Sequence, residues 1–188
     1  MLSMLTSAIE ARDSYTQGHS ARVTALAEEV ARRLGWSPEQ LATLRIGGPL
    51  HDIGKLAVSD EVLRKVGRLE PEELDQIRQH PTIGARILLR MAALREAIPY
   101  VLYHHERWDG SGYPSGKAGE EIPVEARVLA VADAFDAMTS DRPYRRALSR
   151  EEALAEVERC AGTQFDPKIA RAFLEVFAEA ELPVAAAS

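Results

Sequence analysis

PVEARVLAVADAFDAMTS, residues 123–140, is the stretch whose reading decides the fold. It is long, helical in its spacing and apolar on most sides, the pattern of a helix at the centre of a helical protein. Asp133 lies within it, among residues that favour burial. Burying a carboxylate without a partner is costly. Asp133 is therefore expected to meet either an arginine or a metal cation. Asp136, one turn on, reads as a solvated or helix-pairing acid.

The same periodicity extends in both directions. From Thr16 to Gly35 the apolar residues Val23, Leu26, Ala27, Val30, Ala31 and Leu34 form one helical face. Glu28–Arg32 and Glu29–Arg33 are four-apart pairs on the other side, and Gly35 is a natural stop. SPEQ (37–40) is a capping box with proline in the first turn. Pro49 is expected to kink or end that helix just before His51. EPEELDQIRQH (70–80) and TIGARILLRM (82–91) read as two short helices parted by Pro81, and LREAIPYVLYHH (94–105) as another. SREE (149–152) is a second capping box, and Asp166–Pro167 a cap with a first-turn proline. No stretch alternates with a two-residue period for long enough to make a sheet. The longest irregular stretch, Arg107 to Ile122, has the length that often marks function.

With 188 residues, 46% of them apolar, the chain is expected to form one domain over 1–188. Its core should span about 8–182, with a frayed tail over 183–188. The single cysteine, Cys160, excludes an internal disulfide and reads as a small packing residue in a reducing cytoplasm. No secretory signal is visible, and no apolar run approaches the roughly 20 residues of a membrane span. A net charge of −6 argues against a DNA or RNA polymer as partner but permits a small anion held through bound cations. A homodimer is compatible with all of this.

Histidine carries the candidate chemistry. His19 lies on the buried stripe, where a lone imidazole is commonly a satisfied core group. His51 joins Asp52 after the Pro49 kink, and His80 sits at the Pro81 break. His104 and His105 close a helix, where a histidine also complements the dipole. Imidazoles and carboxylates delivered from separate helices make a plausible dinuclear site for iron, manganese or zinc. Asp52 is the natural bridge between two ions, which together would activate a water against phosphorus. Lys55, one turn past His51, reads as a phosphate contact or as a solvated lysine. Arg142, Arg145 and Arg146 in TSDRPYRRA either steady helix carbonyls or clamp phosphates.

These blocks stand in a fixed order: DSYTQGHSARV (13–23), HDIGK (51–55), QHPTIGARIL (79–88), HHERWDGSGYP (104–114), RVLAVADAFDAMTSDRPYRRA (127–147) and GTQFDP (162–167). The series closely resembles the HD-GYP domain, a bacterial branch of the HD phosphohydrolases, from about Ala8 to Leu182. The resemblance implies an all-α, single-domain helical bundle of the HD type. It also implies a metal-dependent phosphodiesterase that opens cyclic di-GMP to pGpG, and in some members continues to GMP, by in-line attack of a metal-bridging hydroxide. It assigns His19, His51, Asp52 and Asp133 to one divalent metal, with Asp52 bridging, and His80, His104 and His105 to the second. That set uses all five histidines. Lys55, Arg142 and Arg145 match positions that contact the dinucleotide. The loop with Asp109, Gly112, Tyr113 and Pro114 is associated with site architecture and with partners such as diguanylate cyclase (GGDEF) domains. An upstream receiver or sensor domain is usual in the family.

Three features depart from the family's pattern. Tyr15 stands where some members carry a glutamate for a third metal, which favours two metals here. Ser59 and Val66 replace usual prolines, and Glu70 replaces a capping threonine, so the segment from 56 to 73 is expected to be softer. The alternative within the same resemblance is a cyclic di-GMP receptor or cyclase-binding module without turnover.

Overall fold

The computed structural model describes residue 12 and residues 18–65, 67–141 and 146–180. In chain order it comprises α1 (His19–Arg33), α2 (Pro38–Leu50), a 3₁₀ turn (Ile53–Ala57), α3 (Asp60–Leu63), α4 (Pro71–Arg78) and α5 (His80–Leu89). A second 3₁₀ turn (Ala92–Ala97), α6 (Ile98–Tyr103), a third 3₁₀ turn (Gly119–Glu121), α7 (Val124–Thr139), α8 (Arg150–Arg159) and α9 (Pro167–Ala180) follow. Among the described residues the only sheet-like pairing is an isolated bridge between Ala161 and Phe165. The fold is the all-α bundle expected.

The helix starts follow local chemistry. Ser37 Oγ accepts from Gln40 N–H, and Gln40 Oε1 accepts from Ser37 N–H at 2.9 Å, closing the predicted capping box. Ser149 and Glu152 do the same for α8, at 3.1 and 2.8 Å. Asp166 Oδ1 caps α9 by accepting from Lys168 N–H at 2.8 Å. Glu70 precedes α4, and Glu73 supplies a compensation by accepting Glu70 N–H at 2.7 Å. Ser59, the replacement for a proline, caps the short α3 through Val62 N–H.

α2 ends at Leu50, just before His51, its C-cap, as the sequence reading has it. One boundary differs from that reading. The stretch from Leu94 to His105 divides into a 3₁₀ turn and α6, because Pro99 lacks an N–H and fits the first turn of a new helix.

α1 packs on α2 and α7, and α9 closes over α1, α7 and α8. The main core joins Val23, Ala27 and Val30 to Leu44, Tyr100, Leu129 and Phe173. Phe135, Phe173 and Phe177 stack around one another with ring centroids 4.9–5.1 Å apart. Cys160 is the buried C-cap residue of α8 and belongs to this core, as expected. A smaller cluster of Leu50, Ile53, Leu88, Leu94 and Val101 joins the end of α2 and the first two 3₁₀ turns to α5 and α6. No helix among the described residues is long and apolar enough to cross a membrane.

Candidate metal centre

The ends of the helices, not their middles, deliver most of the site. His19 opens α1, His51 closes α2, His80 opens α5, and His104 and His105 follow α6. Asp52 sits between α2 and the first 3₁₀ turn, and Asp133 comes from the body of α7. One ligand atom each from Asp52, His80, His104 and His105 lies within 4.8 Å of the others. The same holds for His19, His51 and Asp52, so Asp52 belongs to both groups. Asp133 Oδ1 is 3.2 Å from His19 Nε2 and 4.0 Å from His51 Nε2.

Glycine makes this convergence possible. A Cβ on Gly54 would fall 1.8 Å from the His80 carbonyl oxygen, so the 3₁₀ turn lies directly against the start of α5. That contact carries Asp52 to His80, with Oδ1 3.3 Å from Nε2. In the sequence Gly54 was only the residue before a lysine.

The imidazoles are aimed by their outer nitrogens. His51 Nδ1 bonds to Gly48 O at 2.7 Å, His80 Nδ1 to Ile77 O at 2.7 Å, and His104 Nδ1 to Val101 O at 3.0 Å. A carbonyl only accepts, so each Nδ1 carries the proton and each Nε2 presents a lone pair inward. His19 is held differently. Its Nδ1 bonds to Asp136 Oδ2 at 2.7 Å, and Arg22 grips the same carboxylate at 2.6 and 3.0 Å. Of the two readings the sequence offered, Asp136 is thus the helix-pairing acid and not the solvated one. It is buried because it bonds across to α1. No local signal separates it from Asp133; only the packing of α7 on α1 does.

Inward lone pairs need a partner. His51 Nε2 is buried and has no hydrogen bond. His80 Nε2 and His104 Nε2 face each other at 3.3 Å, although both outer nitrogens already hold the ring protons. Two opposed lone pairs repel unless a proton or a cation lies between them. A proton is opposed here. Burial lowers the pKa of His80, and burial with the neighbouring His105 holds His104 well below the ordinary value. Burial, then His80, pushes His105 down to about 3. Burial opposes ionisation of Asp52, but Lys55 at 2.8 Å and the surrounding histidines outweigh it and hold the carboxyl well below its usual range. Burial likewise opposes ionisation of Asp133, and its bond to His19 together with the charges of His51, His19 and His105 outweighs that. Neutral imidazoles and ionised carboxylates are the donor states that divalent metals bind. The cluster fits a divalent metal site.

One support, Glu106, escaped the sequence reading. Glu106, buried just after the histidine pair, accepts from Ser115 N–H at 2.7 Å and Lys117 N–H at 3.1 Å, fastening the following loop. A Cβ on Gly112 would lie 2.3 Å from Arg107 N and 2.6 Å from Glu106 Cα, so this glycine serves a close backbone approach. The next residue, Tyr113, donates its N–H to His105 O at 3.2 Å and stacks on the His105 ring at 4.8 Å. Pro114 follows through a cis peptide. Asp109 caps the loop by accepting from Ser111 N–H at 3.0 Å, and its own N–H donates to Thr163 O. Trp108 packs beneath Arg127. Arg142, Arg145 and Tyr15 lie outside the described residues.

The model of the HD domain family matches residues 3–169. The chain belongs to the HD domain family. Two curated relatives are each 43% identical: a cyclic di-GMP phosphodiesterase of Thermotoga maritima over 94% of this chain, and the cyclic di-GMP phosphodiesterase response regulator RpfG of Xanthomonas campestris over 96%. This HD domain spans about half of each, 48%. Among solved structures, a cyclic GMP-AMP specific phosphodiesterase of V. cholerae superposes with a TM-score of 0.74 at 21% identity. It covers 94% of this chain and 47% of that one, and at this identity it supports the fold alone.

Proposed function

We propose that this HD domain is a cyclic di-GMP phosphodiesterase with two divalent transition metals, iron or manganese before zinc. The observation that carries the reading is the pair of opposed Nε2 atoms of His80 and His104 beside a carboxylate that also reaches His51. His19, His51 and Asp133 hold one cation, His80, His104 and His105 the other, and Asp52 touches both. Cations held this way activate water and offset charge on a phosphodiester. Lys55 neutralises Asp52 and turns toward the same cavity, where it meets a phosphoryl oxygen. Arg142 and Arg145, which follow α7 in the sequence, are further candidates for phosphate contact.

Tyr113, stacked on His105, keeps that ring in place, and Glu106 keeps the loop of Asp109, Gly112 and Pro114 closed against it. The outer side of that loop is the surface for a diguanylate cyclase or receiver partner, in the cytoplasm. Sequence identity to relatives named for cyclic di-GMP supports that substrate. The test is anaerobic purification, metal analysis and product chromatography. Linear pGpG with about two metals per chain is expected, and tight binding of cyclic di-GMP without product would instead make the protein a receptor.

A further inference from the structure

The cavity over the metal centre has a volume of about 670 Å³, and several side chains of its lining have no role in the chemistry above. Its lining includes His19, Asp52, His80, His105 and Asp133. It also includes Leu63, Leu69, Leu74 and Ile77, from α3, α4 and the chain between them, with the exposed Arg68. Leu74 is 37% exposed, and Leu63, Leu69 and Ile77 are half-buried. Together they give the cavity an apolar wall that water reaches. The two cations of this wall differ. Lys65 is held by both oxygens of Glu73, at 2.7 and 2.8 Å, whereas Arg68 has no carboxylate partner among the described residues.

We infer that this wall is the nucleobase subsite: Leu69, Leu74 and Ile77 take the flat face of one base, and Arg68 reads its edge. The inference rests on the cyclic dinucleotide reading and adds a base preference to it. A cyclic dinucleotide with one phosphodiester at the metals must place a base away from them, in the same cavity. A planar base gains by covering apolar side chains that water otherwise wets. The arginine fork pairs with the two acceptors, O6 and N7, on a guanine edge; adenine offers a donor in place of O6. Arg68 therefore favours guanine over adenine, and the apolar row is indifferent between them.

Calorimetry on the metal-loaded protein tests this, with phosphorothioate forms of cyclic di-GMP and cyclic di-AMP that resist hydrolysis. A Leu69→Ser/Leu74→Ser double variant is expected to weaken both ligands about tenfold with metal content unchanged. Arg68→Ala is expected to weaken only the guanine ligand, by about tenfold, and so erase the preference. Leu74 and Arg68 are exposed, so these changes spare the fold; an unchanged thermal midpoint checks that. Wild-type affinity for both ligands that is unmoved by the wall variants, or absent altogether, overturns the subsite. A guanine preference that survives Arg68→Ala overturns the role of Arg68. Wall-dependent binding without hydrolysis of unmodified cyclic di-GMP removes the proposed activity and leaves the subsite standing; hydrolysis with wall-independent affinity does the reverse.

Discussion

The two halves of the metal centre are aimed in different ways. His51, His80 and His104 each point their outer nitrogen at a carbonyl three residues back, within their own turn of chain. His19 points at Asp136, which lies 117 residues away and is itself gripped by Arg22. Their charge states differ accordingly. Burial opposes a charge on His19, but the bonds to Asp133 and Asp136 carry its pKa up to about 10, while His80, His104 and His105 are held neutral. The lesson is that backbone-aimed ligands depend on helix geometry, and the carboxylate-aimed ligand depends on the α1–α7 contact.

Asp52 is common to both halves, so its loss should erase the contrast. Asp52→Ala is expected to reduce cyclic di-GMP hydrolysis by more than about a thousandfold and to deplete both metals. Undiminished turnover would sink the assignment. Gly54→Ala should damage the backbone-aimed half first, because its Cβ has no room against the His80 carbonyl. A destabilisation of about 3 kcal/mol in urea is expected. Asp136→Ala should act on the other half alone. The chain should keep one metal tightly and bind the second roughly 10–100-fold more weakly, read by metal titration. Equal weakening of both metals would break the comparison.

Glu106→Gln tests the loop that covers His105. One oxygen still accepts, but the amide cannot accept at both Ser115 and Lys117. A loss of about 1–2 kcal/mol and faster amide exchange over 110–117 are expected.

The smallest effect lies far from the site, at the exposed cluster of Arg32, Glu28 and Arg45. Hydrogen bonding from Arg45 outweighs burial and lowers Glu28 to about 2, from 4.5. A depressed acid stabilises the fold above its unfolded value and loses that contribution as pH falls. Arg45→Ala should therefore cost below about 1 kcal/mol above pH 4.5, and the difference from wild type should vanish toward pH 2. Urea midpoints across that window check it.

Much of the architecture was legible because it is local. Ser37 and Ser149 announce helix starts through bonds that span three residues, and the α1 stripe announces a buried face through spacing alone. Asp133, a carboxylate in an apolar run, was recognisable as a group that needed a partner. Asp136 was not. Its sequence surroundings are those of Asp133, and its burial comes from Arg22 and His19 on another helix. Glu106 and Gly54 were equally mute, since an anchored loop and a bare backbone crossing leave no periodic trace.

Alone, the order of residues determined a helical protein and a set of candidate metal donors, because hydrophobic period, caps and donor chemistry are properties of short segments. The tertiary structure decided which nitrogen of each ring faces inward, which of two nearby aspartates aims a histidine, and which leucines stay uncovered beside the site. Those are relations between distant segments, set by how closely helices can approach where a glycine leaves room.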